Sequence, residues 1–235
     1  MKRILLLIAI LFIFHSCAEL QQVVDSLPQT GNVLSNADIA PGLRQALDKG
    51  IEKQVSKLTQ RDGFYKNDLV KILLPEELQK VDNALRKVGL SSLADEGLKA
   101  LNRAAEDAVK EATPIFVNAV KDITFDDAKN ILLGEDNAAT SYLSSKTETA
   151  LYNKFKPVIR NSFGKVGADQ IWTNLITKYN NLPLTNDVNP DLTDYVTGEA
   201  LKGVYTMIAL EEKEIRNKVS SRTTNLLKKV FALQD

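Results

Sequence analysis

Histidine and cysteine, the residues that most often do chemistry, occur once each in this sequence, as His15 and Cys17. A leader ending at Ser16, argued below, would remove the histidine and leave one thiol. That composition excludes Ser-His-Asp and Cys-His nucleophilic catalysis. It also excludes zinc, haem and iron–sulfur sites of the usual ligand types. With no second cysteine there is no internal disulfide, so stability must come from packing. Carboxylate pairs, serine–lysine pairs and oxygen-ligated hard cations remain possible. No cofactor is implied.

Each remaining chemistry has a candidate. Ser162-Phe163-Gly164-Lys165 fits S-x-x-K, in which a lysine helps activate a serine. No K-T-G or S-D-N partner follows, so a helix-end serine and a solvated lysine are expected. Asp187, Asn189 and Asp191 match positions 1, 3 and 5 of a calcium loop, but Leu192 and Gly198 stand where Gly and Glu are required. The expected alternative is a helix start with Asn189 as N-cap, Pro190 first and Asp191 facing the helix dipole; whether the three bind an ion stays open. Carboxylates cluster at Asp126 and Asp127 and at Glu211, Glu212 and Glu214. A glycan hydrolase needs two carboxyls facing each other roughly 5–9.5 Å apart. The i,i+4 pairs Glu212–Arg216 and Glu214–Lys218 predict instead a solvated, ion-paired helix face. Trp172 and Tyr179 share a helix face and, with Phe155 and Phe163, either join the core or line an apolar pocket. No catalytic, cofactor or metal residue is assigned.

Cys17 is the one residue whose chemistry can be named. Lys2 and Arg3 precede an apolar run from Ile4 to Phe14. Eleven helical residues at about 1.5 Å each cover only half of a bilayer core of about 30 Å, which suits a secretory leader rather than a membrane span. Ordinary cleavage wants small residues at −1 and −3. Ser16 fits, but Phe14 is large. Phe14-His15-Ser16-Cys17 instead resembles a lipobox, with a bulky apolar residue three before the cysteine. Lipid on Cys17 would anchor the chain to a membrane, since each buried CH₂ contributes roughly 0.8 kcal/mol. Ala18, rather than Asp, after the cysteine leans the address toward the outer membrane. Residues 18–34 contain Pro28 and Gly31 without a sustained period and read as a flexible tether of about 20–25 Å.

The elements that would position these residues are helical. Ile39, Leu43, Ala46, Leu47, Ile51, Val55 and Leu58 keep a helical spacing, with Asp38 expected as N-cap and Pro41 in the first turn. QRDGFYKN reads as a turn, and DLVKILL as a short extended segment. Pro75 opens a helix carrying Leu78, Val81, Leu85 and Val88 and stopped by Gly89. A run from Ser91 to Ile123 should break before Pro114. Thr124-Phe-Asp-Asp127 looks like a helix start, ended by Gly134. A run after Asp136 carries Tyr142, Leu143, Leu151, Phe155, Ile159 and Phe163, interrupted at Pro157. Ala168 to Asn180 is amphipathic through Ile171, Trp172, Leu175, Ile176 and Tyr179. A polar loop leads to a long helix, about Asp191 to Lys218, and a last one near Arg222 to Leu233. The fold class is all-α: one multi-helix globular domain over 35–235, behind a leader (1–16) and a lipidated tether (17–34).

Several segments are familiar in combination: LSNADIAPGLRQALDKG, RDGF, LPEELQKVDNALRKVGL, LNRAAEDAV, ITFDDAKNILLG, DNAATSYL, DLTDYVTGEALKG, and EEKEIR with RTTNLLKKVF. In this order they resemble the bacterial family called domain of unknown function 4197, over roughly Leu34 to Phe231. The resemblance implies an exported helical protein, often a lipoprotein, and carries no catalytic or binding residue. Pro41 departs from the pattern, where a small helix-former is expected.

The chain has 30 basic and 30 acidic residues, and loss of Lys2 and Arg3 leaves it nearly neutral. No charge excess points to nucleic acid or to anionic lipid. The expectation is therefore a non-enzymatic envelope lipoprotein, a binding or structural module. Its partners would be the membrane, through the lipid, and an envelope protein. The alternatives are a carrier of a hydrophobic small molecule or lipid and a carboxylate-dependent envelope hydrolase.

Overall fold

The computed structural model describes residues 35–87, 89, 91–166, 168–180 and 191–232. The leader, Cys17, the tether, Asp187 and Asn189 lie outside the described residues. Nine α-helices are described: α1 (Asn36–Leu58), α2 (Glu76–Lys87), α3 (Ser91–Val109), α4 (Ala112–Lys121), α5 (Phe125–Leu132), α6 (Ala138–Val166), α7 (Ala168–Asn180), α8 (Thr193–Asn217) and α9 (Asn225–Phe231). A short 3₁₀ turn (Val219–Ser221) separates α8 from α9. No strand occurs among them, so the all-α expectation holds. No helix among the described residues is long and apolar enough to cross a membrane.

The long helices α6 and α8 pack on each other, with α3 against α6 and α1 against α8. Helix α4 fills the space between α1 and α6, and α9 lies on α1. The apolar spacing read from α1 is the spacing that is buried, from Ile39 through Leu58. Leu143, Leu151, Phe155 and Ile159 of α6 and Val196, Ala200, Val204 and Ile208 of α8 complete the centre. Each large aliphatic or aromatic side chain there contributes roughly 1.5–3 kcal/mol by leaving water.

Both interior prolines sit deeper in their helices than expected. Ser35, not Asp38, caps α1, and Asp38 turns back to accept the Ser35 amide and hydroxyl at 3.1 and 3.0 Å. Pro41 therefore stands past the first turn. Pro157 does not interrupt α6 at all. Each proline removes one amide from the helical ladder. The carbonyls so deprived belong to Ala37 and Asn153, both exposed residues, where solvent is available to the unpaired group. Helix α6 runs continuously through Pro157, with Leu151, Phe155 and Ile159 buried on its core side.

Other boundaries follow local chemistry. Residues 110 and 111 break α3 from α4, so Pro114 falls in a first turn, as expected. Gly89 adopts φ +82°, the left-handed conformation that ends α2. Helix α8 begins later than the sequence indicated, capped at Leu192, while Asp191 accepts the Thr193 amide at 2.9 Å. Helix α9 begins at Asn225, with the Thr224 hydroxyl accepting the Leu227 amide.

The segment expected to be extended is held by a side chain. Residues 71–75 run without helix or sheet. Asn102, fully buried on α3, accepts the Ile72 amide at 2.8 Å and donates to the Ile72 carbonyl at 2.9 Å. The preceding turn is clamped from the same helix. Glu106 accepts the amides of Asp62 and Phe64, and Arg103 pairs with Asp62 at 2.9 Å. Gly63 is obligatory there, because a Cβ would stand 2.5 Å from the Lys57 carbonyl oxygen.

Candidate functional site

The carboxylates singled out in the sequence separate into two places at opposite ends of α5. Glu212 and Arg216 form their i,i+4 pair, but buried rather than solvated, with side chains 5 % and 4 % exposed. Glu212 accepts the amides of Ala139 and Thr140 and the Thr140 hydroxyl, all at 2.8 Å. These are orphan donors in the first turn of α6, where a negative charge also complements the helix dipole. Arg216 reaches the other way and donates to the carbonyls of Ile131 and Leu132, at the end of α5. Glu211 accepts from Lys53 and Gln54, at 2.6 and 2.5 Å, and ties α8 to α1. Glu214 pairs with Lys218 on the surface, as expected.

These buried charges border a small, partly open pocket lined by Leu43, Leu47, Ile51, Ile208 and Phe231. Its volume is about 20 Å³, enough for about one water. Phe155, Phe163 and Trp172 are core residues, and the Trp172 ring lies against Gly97. The Tyr179 side chain lies outside the described residues. Ser162 donates to Asp107 at 3.0 Å, while Lys165 is exposed. Burial pushes the Asp107 carboxyl up, and the bonds from Lys110 and Ser162 outweigh it, holding the carboxyl below its ordinary range.

At the other end of α5 the chain forms an open groove of about 540 Å³, walled by α4, the start of α5 and α6. That volume falls within the roughly 300–1,000 Å³ of small-ligand sites. Ile115, Ala119, Ala150 and Tyr142 supply apolar surface, and Asn118, Asp122, Thr124, Asp127, Lys146 and Thr147 supply polar atoms. Asp127 closes the predicted capping box with Thr124: its carboxylate accepts the Thr124 amide at 2.9 Å and the hydroxyl at 2.7 Å. Those two bonds hold its carboxyl below the ordinary range. Asp126, its neighbour, is exposed and outside the groove lining.

Tyr142 faces Asp127 and Asp122. Burial, then the charges of Asp127 and Asp122, push its hydroxyl up, so it stays protonated. The Lys146 ammonium lies 5.6 Å from the Tyr142 ring centroid. Behind the groove, Thr147 and Tyr205 share a hydrogen bond of 2.8 Å, and Phe116 packs edge-on to Tyr205. The groove thus has a rigid back wall and two carboxylates against one ammonium. A second open cleft of about 420 Å³ lies between Leu73–Pro75 and Tyr195, but its charges balance, Lys71 and Lys202 against Glu76 and Glu199.

Of the groove residues, only Asp127 was a sequence candidate for chemistry. Asp122, Lys146 and Asn118 went unmarked, and Tyr142 appeared only as part of an apolar run. Three helices assemble the groove, and nothing local marks its members. Among the described residues, no cluster of three or more acidic, histidine or cysteine side chains is arranged to hold a metal ion.

Several of the segments that carry the family resemblance meet in space: RDGF is clamped by Glu106 and Arg103 of LNRAAEDAV, and Glu212 of EEKEIR caps the helix begun by DNAATSYL. Comparison with known proteins agrees. Residues 33–232 match the model of the family described as protein of unknown function (DUF4197). No curated protein and no solved structure matches the chain.

Proposed function

We propose that this chain, which belongs to the DUF4197 family, is a lipid-anchored, non-catalytic binding module of the cell envelope that engages its partner through the groove between α4, α5 and α6. The observation that carries this reading is the division of labour among the charged groups. Buried Glu106, Glu212 and Arg216 are committed to holding turns and helix ends. The groove's Asp122 and Lys146 are exposed and face open space. Charges of the first kind fix a shape, and charges of the second kind remain available to a guest.

The address comes from Phe14-His15-Ser16-Cys17 and the tether, which would hold the domain near the outer membrane with the groove accessible. A carrier of lipid or another hydrophobic molecule finds less support, since the apolar pocket beside Glu212 admits about one water and burying the groove's carboxylates against apolar matter is costly. Photocrosslinking in living cells from a groove position tests the reading. A discrete protein adduct from the groove, absent from a remote face, is expected; equal labelling from both would defeat it.

A further inference from the structure

We propose that the groove receives a basic side chain, lysine or arginine, of a protein partner. This rests on the groove being the binding face, and it adds the chemistry of the guest. Lysine and arginine bury an apolar stem while keeping the charged head in polar surroundings. The groove offers both: Ile115, Ala119 and Ala150 give an apolar wall, and Asp122 and Asp127 stand at its edge. Charge complementarity selects among guests, because two carboxylates outnumber the single ammonium of Lys146. An anionic guest would be repelled, and a plain alkyl chain would strip water from carboxylates without replacing it.

The chain supplies its own precedent for the bound cation. Lys146 holds its ammonium over the Tyr142 ring at 5.6 Å, within the range at which an aromatic face attracts a cation. It also lowers the Asp127 carboxyl through its charge. Lys146 is exposed and long, so it can move aside as a guest ammonium takes the same field. Asp127 is fixed by Thr124 and does not need to move. The geometry therefore assigns Asp122 as the recognising acid, Asp127 as a fixed negative charge behind it that also caps α5, Tyr142 as the aromatic wall, and Lys146 as an internal competitor.

The test uses the full lipidated protein, purified from membranes in a nonionic detergent. It is titrated into fluorescein-labelled acetyl-Lys-Ala-Lys-Ala-Lys-amide and followed by anisotropy, with the matching glutamate peptide as control. The lysine peptide should bind and the glutamate peptide should not. Asp122→Asn should weaken binding by about 2–5-fold, and Lys146→Ala should strengthen it by a similar factor. Raising salt from about 50 to about 200 mM should weaken it, since exposed charges are screened. Thermal melts establish that both variants are folded. Failure of the lysine peptide to bind, equal binding of the glutamate peptide, or unchanged affinity in both variants overturns the proposal. Groove crosslinks to a partner that persist under those results would leave the binding face in place and remove only the basic guest.

Discussion

Glu212 and Arg216, one turn apart on α8, hold the ends of two other helices: Glu212 takes the first amides of α6, and Arg216 fills the last carbonyls of α5. Their own contacts at 2.8 and 3.0 Å neutralise both charges inside the protein. Removing one partner leaves the other charge buried and alone. Arg216→Met should lower stability by about 3–5 kcal/mol in urea unfolding. A double change with Glu212→Gln should be less harmful than the two single losses added together. Strict additivity would mean that the pair does not act as a unit.

Asn102 substitutes for a neighbouring strand. Its amide satisfies both backbone groups of Ile72 and donates to the Leu98 carbonyl at 2.8 Å. Asn102→Leu keeps the volume and orphans those groups, at about 1–3 kcal/mol each. The expected loss is about 2–5 kcal/mol. Asn102→Asp, which keeps the acceptor but sets a buried carboxylate oxygen against the Ile72 and Leu98 carbonyls, should cost at least as much. A loss below about 1 kcal/mol for the leucine variant would show that water readily takes the place of this side chain.

Stability should respond to acid with two opposing contributions. The Thr124 amide and hydroxyl hold Asp127 below 3.8, so its stabilisation is complete above that value and fades as the pH falls through its lower folded value. Burial raises Glu106 above 4.5, outweighing the bonds from Phe64 and Asp62. Folded Glu106 therefore keeps its proton longer than unfolded Glu106, and stability falls as pH rises from 4.5 through its folded value. Asp127→Asn should flatten the acid limb, and Glu106→Gln should remove the opposing slope above 4.5. Urea midpoints measured across pH 2–7 check both, and slopes unchanged in either variant would contradict the corresponding assignment.

Cys17→Ala should abolish acyl labelling and leave an unprocessed precursor in the membrane fraction. Labelled palmitate and a mobility shift on a gel are sufficient to read this. Normal processing of the variant would remove the lipobox assignment and the anchored address with it.

Much of the framework was legible because it depends on residues close in sequence. The face from Ile39 to Leu58 and the Thr124–Asp127 cap follow from helical spacing and from one side chain reaching one turn. What was not legible acts over distance. Asn102 lies 30 positions from Ile72, and Glu106 lies 42 from Phe64. Glu212–Arg216 has the same i,i+4 spacing as exposed Glu214–Lys218, and only the arrival of α5 and α6 buries one and not the other. The sequence places Pro41 in a first turn and Pro157 at an interruption, because it displays only the lost amide. Whether water can replace it depends on which way each carbonyl faces. The groove was hidden for the same reason as the clamps, since Asp122, Tyr142 and Lys146 become neighbours only when α4 packs on α6.

The central claim is that the groove between α4, α5 and α6 is where this protein meets its partner. A photoreactive residue at Asn118, on the groove wall, and another at Asn83, exposed on α2, compare the two faces directly in living cells. The account predicts a discrete adduct from position 118 that disappears in the Asp122→Asn, Asp127→Asn double variant, and none from position 83. The same adducts from both positions, or an adduct from 83 alone, would contradict it.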